Sequence, residues 1–305
     1  MKKKILFFLF FLFCSQVQSI EIKIIHNIQN EIITNIDIKN EFRYLVALNS
    51  ALKELDKDKI LIISNNSIIK EKIKKIEILK NFKEIKLDES YLNFLIQKIY
   101  SRLNFNSISE FELYLKNYDL TLTDIKTKII IDALWNDLII EKFSSKISIN
   151  ENQIKKNILE NNQVNLKEYQ LSEILYAVTN KEEIEQKYNK VVKSINEIGF
   201  ENTAAIYSFS KTAQIGGEIG WVSESSLNDR IKKNVNNLKN GEITKPIILS
   251  NGILVLKLIN TKNSKTAVDV ESEFKKAINY ERNRQLNQYS KIYYDRVKKN
   301  IGFNE

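Results

Sequence analysis

Few residues of this 305-residue chain have side chains suited to catalytic or metal chemistry. The chain holds one histidine, His26, and one cysteine, Cys14. Transition metals are bound mainly by sets of cysteine, histidine and carboxylate ligands, so no metal site is expected. No cofactor is expected either, because the sequence has no phosphate loop, dinucleotide fingerprint or Ser-His-Asp set. A structural or exposed role is predicted for His26.

A cluster of carboxylates in KEEIEQK could imitate a catalytic acid pair. It consists of Glu182, Glu183 and Glu185. Glu183 precedes Lys187 by one helical turn, a spacing typical of ion pairs on a solvated helix face. We therefore interpret these glutamates as part of a solvent-exposed helix face and not as a catalytic site.

The segment QIGGEIGWVSESSLNDRIKKNVNNLKNGEITKP, residues 214–246, contains four of the seven glycines and the only proline. In a chain so poor in turn formers, this concentration predicts a tight loop. Gly216 and Gly217 permit positive φ angles. Trp221 is expected to pack this loop onto a sheet, and Gly241 to turn the chain toward the strand next to the proline.

The elements that must position this loop fall into three regions. Residues 20–165 repeat apolar residues at spacings of three and four, which predicts a helical domain. Its start, IEIKIIHNIQNEIITNID, alternates instead and indicates an extended or hairpin-like segment. Further along, Ser109 and Glu112 have the spacing of a capping box that opens the helix EFELYLKNY.

Residues 166–262 read as a strand, two helices, the glycine loop, a short helix and two strands separated by Ser250 and Asn251. Residues 263–305 form one long helical pattern with an apolar face, which a lone helix cannot bury. We expect this helix to return and dock on the N-terminal helices. The predicted fold class is α+β: a helical N-terminal domain completed by a long C-terminal helix, with one inserted α+β domain.

Three motifs give the inserted domain a specific resemblance. GGEIGW, from Gly216, resembles the GGDLGW of parvulin-type prolyl isomerases. At the family's spacing, LKNGEITKPI resembles their LKPGEISDPV, and GILVLKL resembles their GYHIIKV. Together these motifs span the domain from Tyr169 to Thr261, and the resemblance implies a parvulin fold with prolyl isomerase ancestry.

The flanking segments resemble one branch of that family. NIQNEIITNIDIKNEF is similar to the opening of SurA-type periplasmic chaperones, and INENQIKKNI resembles the helix that leads into their parvulin part. A C-terminal helix that closes the N-terminal domain is that branch's architecture. The resemblance implies a chaperone for unfolded outer-membrane β-barrel proteins in transit across the periplasm.

The family's pocket residues are exchanged in this sequence. Active parvulins carry a histidine in the first strand, where SEIL places Glu173, and another in the last strand, where Leu254 stands. The acidic or cysteine residue before the double glycine aligns with Ser210. The methionine and phenylalanine of the proline-binding floor align with Leu227 and Ile231.

These exchanges predict that catalysis is lost. Rotation about a prolyl peptide bond has a barrier of roughly 20 kcal/mol, and hydrogen-bonding groups help an enzyme to hold the twisted bond. Leu254 cannot hydrogen-bond, and Glu173 at neutral pH would bring charge to the site. Leu227 and Ile231 still offer an apolar floor that could bind an apolar or proline-bearing segment. The alternative is an active periplasmic prolyl cis–trans isomerase.

The first residues, MKKKILFFLFFLFCSQVQS, have the charged start, short apolar core and polar end of a secretory signal peptide at 1–19. The apolar core is too short to span a membrane. Cys14 follows bulky Phe13, which disfavours a lipoprotein signal. We predict an exported, periplasmic protein without stable membrane insertion, and with no cysteine after cleavage.

Charge and compartment limit the partners. The formal net charge of +9 falls to +6 when Lys2, Lys3 and Lys4 are removed with the signal peptide. Nucleic acid is not expected as a partner of an exported protein. The expected partners are unfolded outer-membrane β-barrel proteins, with the barrel assembly machinery as a further candidate. A third hypothesis is an assembly factor whose parvulin-like domain docks on a single partner.

Overall fold

The computed structural model describes residues 21–161, 166–178, 182–249, 252–264 and 270–303. The predicted signal peptide, including Cys14, lies outside the described residues, as do Ser250 and Asn251. The N-terminal part is a hairpin of strands β1 (Ile24–Ile28) and β2 (Glu31–Thr34), followed by helices α1 (Asn35–Leu48), α2 (Lys57–Asn81), α3 (Glu89–Arg102), α4 (Ile108–Lys116), α5 (Leu122–Phe143) and α6 (Glu151–Asn161).

The N-terminal hairpin forms where the alternating isoleucines predict it. Ile28 and Ile33 are buried in the core shared with α2 and α5. The ring Nε2 of His26 donates to Asn65 Oδ1 at 2.8 Å. The edge of the same ring contacts Phe303. His26 therefore has the structural surroundings that were expected for it.

Helix α4 begins two residues earlier than the predicted capping box. Ser107 has an extended backbone, and its hydroxyl accepts from the backbone N–H of Glu110 at 3.2 Å. Ser109 already lies inside the first helical turn. The sequence contains two overlapping Ser-x-x-Glu patterns, so the choice of Ser109 with Glu112 was wrong. Spacing alone does not distinguish the two, because the backbone conformation at the first serine decides where the helix starts.

The inserted domain consists of a four-stranded sheet flanked by helices. Its elements are β3 (Leu166–Tyr176), α7 (Glu183–Ile198), α8 (Phe200–Tyr207), β4 (Glu218–Ser223), α9 (Asp229–Val235), β5 (Ile247–Leu249) and β6 (Gly252–Ser264). The strand order is β4-β3-β6-β5, and each neighbouring pair is antiparallel. One face of the sheet shares a core with α7 and α8, and the other shares a core with α9.

Helix α10 (Val270–Ile301) returns to the N-terminal helices, as predicted. Its residues Leu286, Tyr293 and Val297 are buried in one core with residues of α2 and α5. The indole Nε1 of Trp135 donates to Ser290 Oγ on α10 at 2.8 Å. The predicted α+β fold class, with a helical domain completed by the C-terminal helix and one inserted domain, is confirmed.

A buried charge cluster links helices α1, α2 and α5 of the helical domain, which is called the helical body below and consists of the N-terminal helices and α10. The ammonium group of Lys128 on α5 forms ion pairs with Glu41 on α1 and Glu71 on α2. Burial alone would lower the pKa of Lys128, but the charges of the two carboxylates outweigh it and raise that pKa. Glu41 also accepts from the Ser67 hydroxyl at 2.6 Å. Each charge is therefore compensated by partners from other helices.

Candidate functional site

The double glycine fixes the loop against the first strand of the inserted domain. Gly216 (φ +70°) ends a short 3-10 helix, and Gly217 (φ +81°) follows it. The backbone N–H of Glu173 donates to Gly217 O at 2.8 Å. A Cβ atom on Gly217 would lie 2.3 Å from the carbonyl oxygen of Glu173. Only glycine allows this close approach between loop and strand.

The predicted packing role of Trp221 is wrong. Strand β4 is an edge strand, and the indole of Trp221 is 41% exposed. The ammonium group of Lys262 lies over this ring at 4.3 Å from its centroid. The loop is instead held by backbone hydrogen bonds such as that from Gly217 N–H to Thr212 O at 2.8 Å.

The structure brings the five predicted pocket positions to one side of the sheet. Side chains alternate between the two faces of a strand, which places Glu173 on the same face as its neighbours Leu171 and Leu175. These leucines share a core cluster with the other predicted positions Leu227, Ile231 and Leu254. Ser210 also joins the group, because its hydroxyl donates to Glu173.

Glu173 lies in a closed hydrogen-bond network. Its Oε1 accepts from Ser210 Oγ at 2.5 Å and from Thr212 Oγ1 at 3.0 Å. Burial raises the pKa of Glu173, and the two hydroxyl hydrogen bonds oppose this shift without cancelling it. The expectation that Glu173 brings charge to the site therefore needs correction, because burial favours the neutral carboxyl.

The predicted apolar floor is buried. Leu227, Ile231 and Leu254 are 2%, 0% and 1% exposed, respectively. Their side chains pack together in the core on this side of the domain, and Leu227 also borders a cavity. Tyr280 of α10 packs against the same cluster.

Helices α6 and α10 cover what remains of the pocket. A cavity of about 270 Å³ lies between them and Leu227, and its walls include Ile154, Tyr280 and Arg284. In addition, Asn287 of α10 donates to Ser210 Oγ at 3.4 Å. This covering is not predicted from the sequence, where α10 is expected to pack on the N-terminal helices alone.

A larger cavity, the interdomain groove, lies between helices α1 and α2 of the helical body and α7 and α8 of the inserted domain. Its volume is about 490 Å³, and its walls are mainly apolar. Ile62 on this groove is 61% exposed. The groove is missed by sequence reasoning because the periodicity of each helix shows an apolar face without showing which part of it stays uncovered.

No metal or membrane site is found among the described residues. Within these ranges, no three or more His, Cys, Asp and Glu side chains are grouped so that they could hold a metal ion. Across the same ranges, no helix combines the length and apolar character required to cross a bilayer.

Comparison with known families assigns the inserted domain. Residues 169–260 match the sequence model of the family described as Rotamase, the PPIC-type PPIase domain. Chaperone SurA of Cupriavidus pinatubonensis is 31% identical over 78 residues, and Chaperone SurA of Cupriavidus metallidurans is 29% identical over 80 residues. Each alignment covers 26% of this chain and 16% of the relative, so the chain spans about a sixth of the length of these relatives.

Among solved structures, PrsA from Bacillus subtilis is 17% identical, with a TM-score of 0.29 and coverage of 91% of this chain and 92% of that one. The structures of PEB4 and Cj1289 from Campylobacter jejuni, described as two structurally related SurA-like chaperones, give 16% identity, a TM-score of 0.28 and coverage of 93% and 98%.

The family match and the double-glycine geometry define residues 169–260 as a parvulin-type prolyl isomerase domain. The chain as a whole is a parvulin-containing protein similar to SurA chaperones.

Proposed function

We propose that this protein is a periplasmic holdase that binds unfolded outer-membrane β-barrel proteins during transit, with a parvulin domain that no longer catalyses isomerisation. The observation that carries the proposal is the interdomain groove. It is large, mainly apolar and accessible, with Ile62 exposed on its wall. Exposed apolar surface of this kind is typical of sites that bind other proteins.

Binding without an energy source requires weak, distributed contacts, because the client must leave again. An affinity in the micromolar range corresponds to about 8 kcal/mol, which a few apolar contacts can supply. Export and a periplasmic location rest on the signal peptide predicted at residues 1–19 and on the similarity to SurA chaperones.

Loss of catalysis is supported by the state of the parvulin pocket. The only polar side chains at the predicted positions are Glu173 and Ser210, and these bond to each other. Leu254 is apolar, and Leu227 and Ile231 are core residues. An isomerase holds a twisted, desolvated imide with preorganised polar groups. At the predicted positions the two polar side chains are already hydrogen-bonded to each other, and α6 and α10 cover the floor.

Two assays on the chain from Ile20 onward test the proposal. In the first, an outer-membrane β-barrel protein is diluted from urea, and light scattering reports its aggregation. The wild type should suppress aggregation at near-stoichiometric concentration, and Ile62→Ser should weaken this effect. In the second, isomerisation of a proline peptide is measured beside an active parvulin. Unchanged aggregation would refute the holdase, and clear acceleration would instead identify an active isomerase.

A further inference from the structure

The interdomain groove continues into a second cavity at one end. Lys70, Ala213 and Gln214 line both. The second cavity has a volume of about 190 Å³ and lies where α2, α5, the turn before Gly216 and α10 meet. We call it the lysine cavity, after the residues that dominate its wall: Lys70, Lys74, Lys211 and Lys291.

Positive charge in the lysine cavity is only partly compensated. Asp132 is the one acidic residue on its wall, and it pairs with Lys74 at 2.5 Å. Lys291 pairs with Asp295. Lys70 and Lys211 have no ion-pair partner among the residues that the structure describes. Two ammonium groups therefore border this cavity without a direct ion pair in the described part of the chain, Lys70 half-buried and Lys211 exposed.

The surroundings of these two lysines oppose their charge. Burial lowers the pKa of Lys70 to about 8. The positive charge of Lys74 also lowers this pKa, whereas the negative charge of Asp132 raises it. Burial likewise lowers the pKa of Lys211, with Lys74 adding to the shift and Asp132 and Asp137 opposing it. A bound anion would raise both pKa values again, because an opposite charge within a few ångströms stabilises the ammonium form.

The walls of the lysine cavity also carry neutral polar groups. Asn136, Ser290 and Tyr294 lie on them beside the lysines. A carboxylate has two oxygens that together accept about four hydrogen bonds, and each ammonium group offers three donors. The residues lining the cavity thus carry more hydrogen-bond donors than one carboxylate can accept.

The adjoining groove has the same sign of charge. Lys59, Lys190 and Lys193 line it together with Glu197. Counted over both cavities, seven lysines stand against two carboxylates, Asp132 and Glu197. An apolar wall that leads to a cationic end complements an apolar chain segment next to a negative charge.

We propose that the groove and the lysine cavity together bind an unfolded segment in which apolar residues adjoin a carboxylate, from either an acidic side chain or a free C-terminus, with that carboxylate held by Lys70 and Lys211. This inference rests on the proposed holdase function and specifies which client segments are preferred. Apolar contacts in the groove give the affinity, and the lysine cavity selects where along the client the protein binds.

The test uses short labelled peptides and fluorescence anisotropy with the chain from Ile20 onward. Two peptides share one apolar sequence, and one ends in a free carboxylate while the other ends in an amide. A second pair carries an internal aspartate or asparagine beside the same apolar residues. We expect the carboxylate member of at least one pair to bind about tenfold more tightly, which corresponds to about 1.4 kcal/mol.

Variants identify the cavity as the cause. Lys70→Met and Lys211→Met should reduce the ratio between the paired peptides to near one, with little change for the neutral peptide. The control Lys275→Met removes a lysine that is 70% exposed on α10 and should leave the ratio unchanged. Ile62→Ser should weaken all peptides alike, because it alters the groove and not the charge. Thermal unfolding of each variant verifies that it is folded.

The outcomes separate this inference from the proposed function. If all peptides bind the wild type but the pairs do not differ, the holdase function stands and the carboxylate preference is refuted. If no peptide binds and Ile62→Ser has no effect on aggregation, the holdase proposal itself fails. Inorganic phosphate or anionic phospholipid vesicles could stabilise the wild type, and not Lys70→Met, against thermal unfolding while the paired peptides bind equally. The cavity would then be an anion site unrelated to clients. That result too overturns the inference.

Discussion

The Ser210 hydroxyl donates to Glu173 Oε1 at 2.5 Å, across the face of the sheet that holds the catalytic groups in active parvulins. Thr212 adds a second hydroxyl at 3.0 Å. Burial favours the protonated form of this carboxyl, and the two hydroxyl donors oppose that effect without cancelling it. Glu173, at the position where the resemblance to parvulins expects a histidine, thus takes part in the hydrogen bonding of the fold itself.

The first prediction concerns the pH dependence of stability. Burial raises the pKa of Glu173 in the folded state. Its contribution is therefore fully present below the unfolded pKa of about 4.3 and is lost as pH rises through the folded pKa. Glu173→Gln keeps the acceptor without the titration, so its stability relative to the wild type should rise as pH rises above that unfolded pKa. Urea unfolding at several pH values measures this.

A surface glutamate provides the comparison for that series. Glu21 is 77% exposed, and Glu21→Gln should give a difference from the wild type that hardly varies with pH. If the Glu173→Gln difference were equally flat, the carboxyl would titrate as in the unfolded chain, and the interpretation of a neutral Glu173 would be wrong.

The second prediction concerns the close approach at the glycine loop. Gly217 and Gly220 both have positive φ angles, but only at Gly217 would a Cβ meet backbone, 2.3 Å from the Glu173 oxygen. Gly220→Ala should cost about 1–2 kcal/mol for the backbone conformation alone. Gly217→Ala should cost about 2 kcal/mol more, since the loop must move away from β3. Similar unfolding free energies for the two variants would contradict the structure of this loop.

The third prediction concerns the buried charge cluster of the helical body. Lys128→Met leaves Glu41 and Glu71 close together without their cation, and it should lower the free energy of unfolding by about 3–5 kcal/mol near neutral pH. The loss should shrink at acid pH, where the carboxylates are protonated. Lys275→Met, which breaks an exposed pair with Glu271, should change stability by less than about 1 kcal/mol.

The fourth prediction separates two possible causes of the proposed loss of catalysis, the cover over the pocket and the exchanged residues. Tyr280→Ala removes the α10 side chain that packs on the pocket cluster. Prolyl isomerisation should stay at the uncatalysed rate, because uncovering Leu227 does not supply polar groups. Tyr280→Phe serves as the folded control, since the Tyr280 hydroxyl is buried without a hydrogen-bond partner in the described part of the chain. Acceleration by Tyr280→Ala alone would show that the cover, and not the chemistry, suppresses activity.

Much of the fold could be predicted from local patterns. The alternating isoleucines around Ile28 and the spacing of apolar residues in α10 each specify one element and the face that it buries. The glycine motif also predicts the loop, because Gly217 adopts a positive φ angle and lies too close to the strand for a side chain.

The features that could not be predicted depend on which distant segments of the chain pack against a given residue. Trp221 reads as a core residue, but it lies on an edge strand, and strand order is not a local property. Glu173 reads as a charged residue, whereas its burial comes from segments far along the chain. For the same reason, Lys70 and Lys211, which are separated by most of the helical body and half of the parvulin domain, show no joint signal in the sequence.

The docking of α10 has a consequence for the order of assembly. The parvulin sheet is built from neighbouring segments, so it can close as soon as β6 is available. The core around Trp135 receives Leu286 and Tyr293 only from a helix that follows every other described element. Contacts between such distant segments form slowly, because a long loop must be closed first. The N-terminal helices therefore keep this part of their apolar core unsealed until α10 is available, and by then every segment of the inserted domain is present.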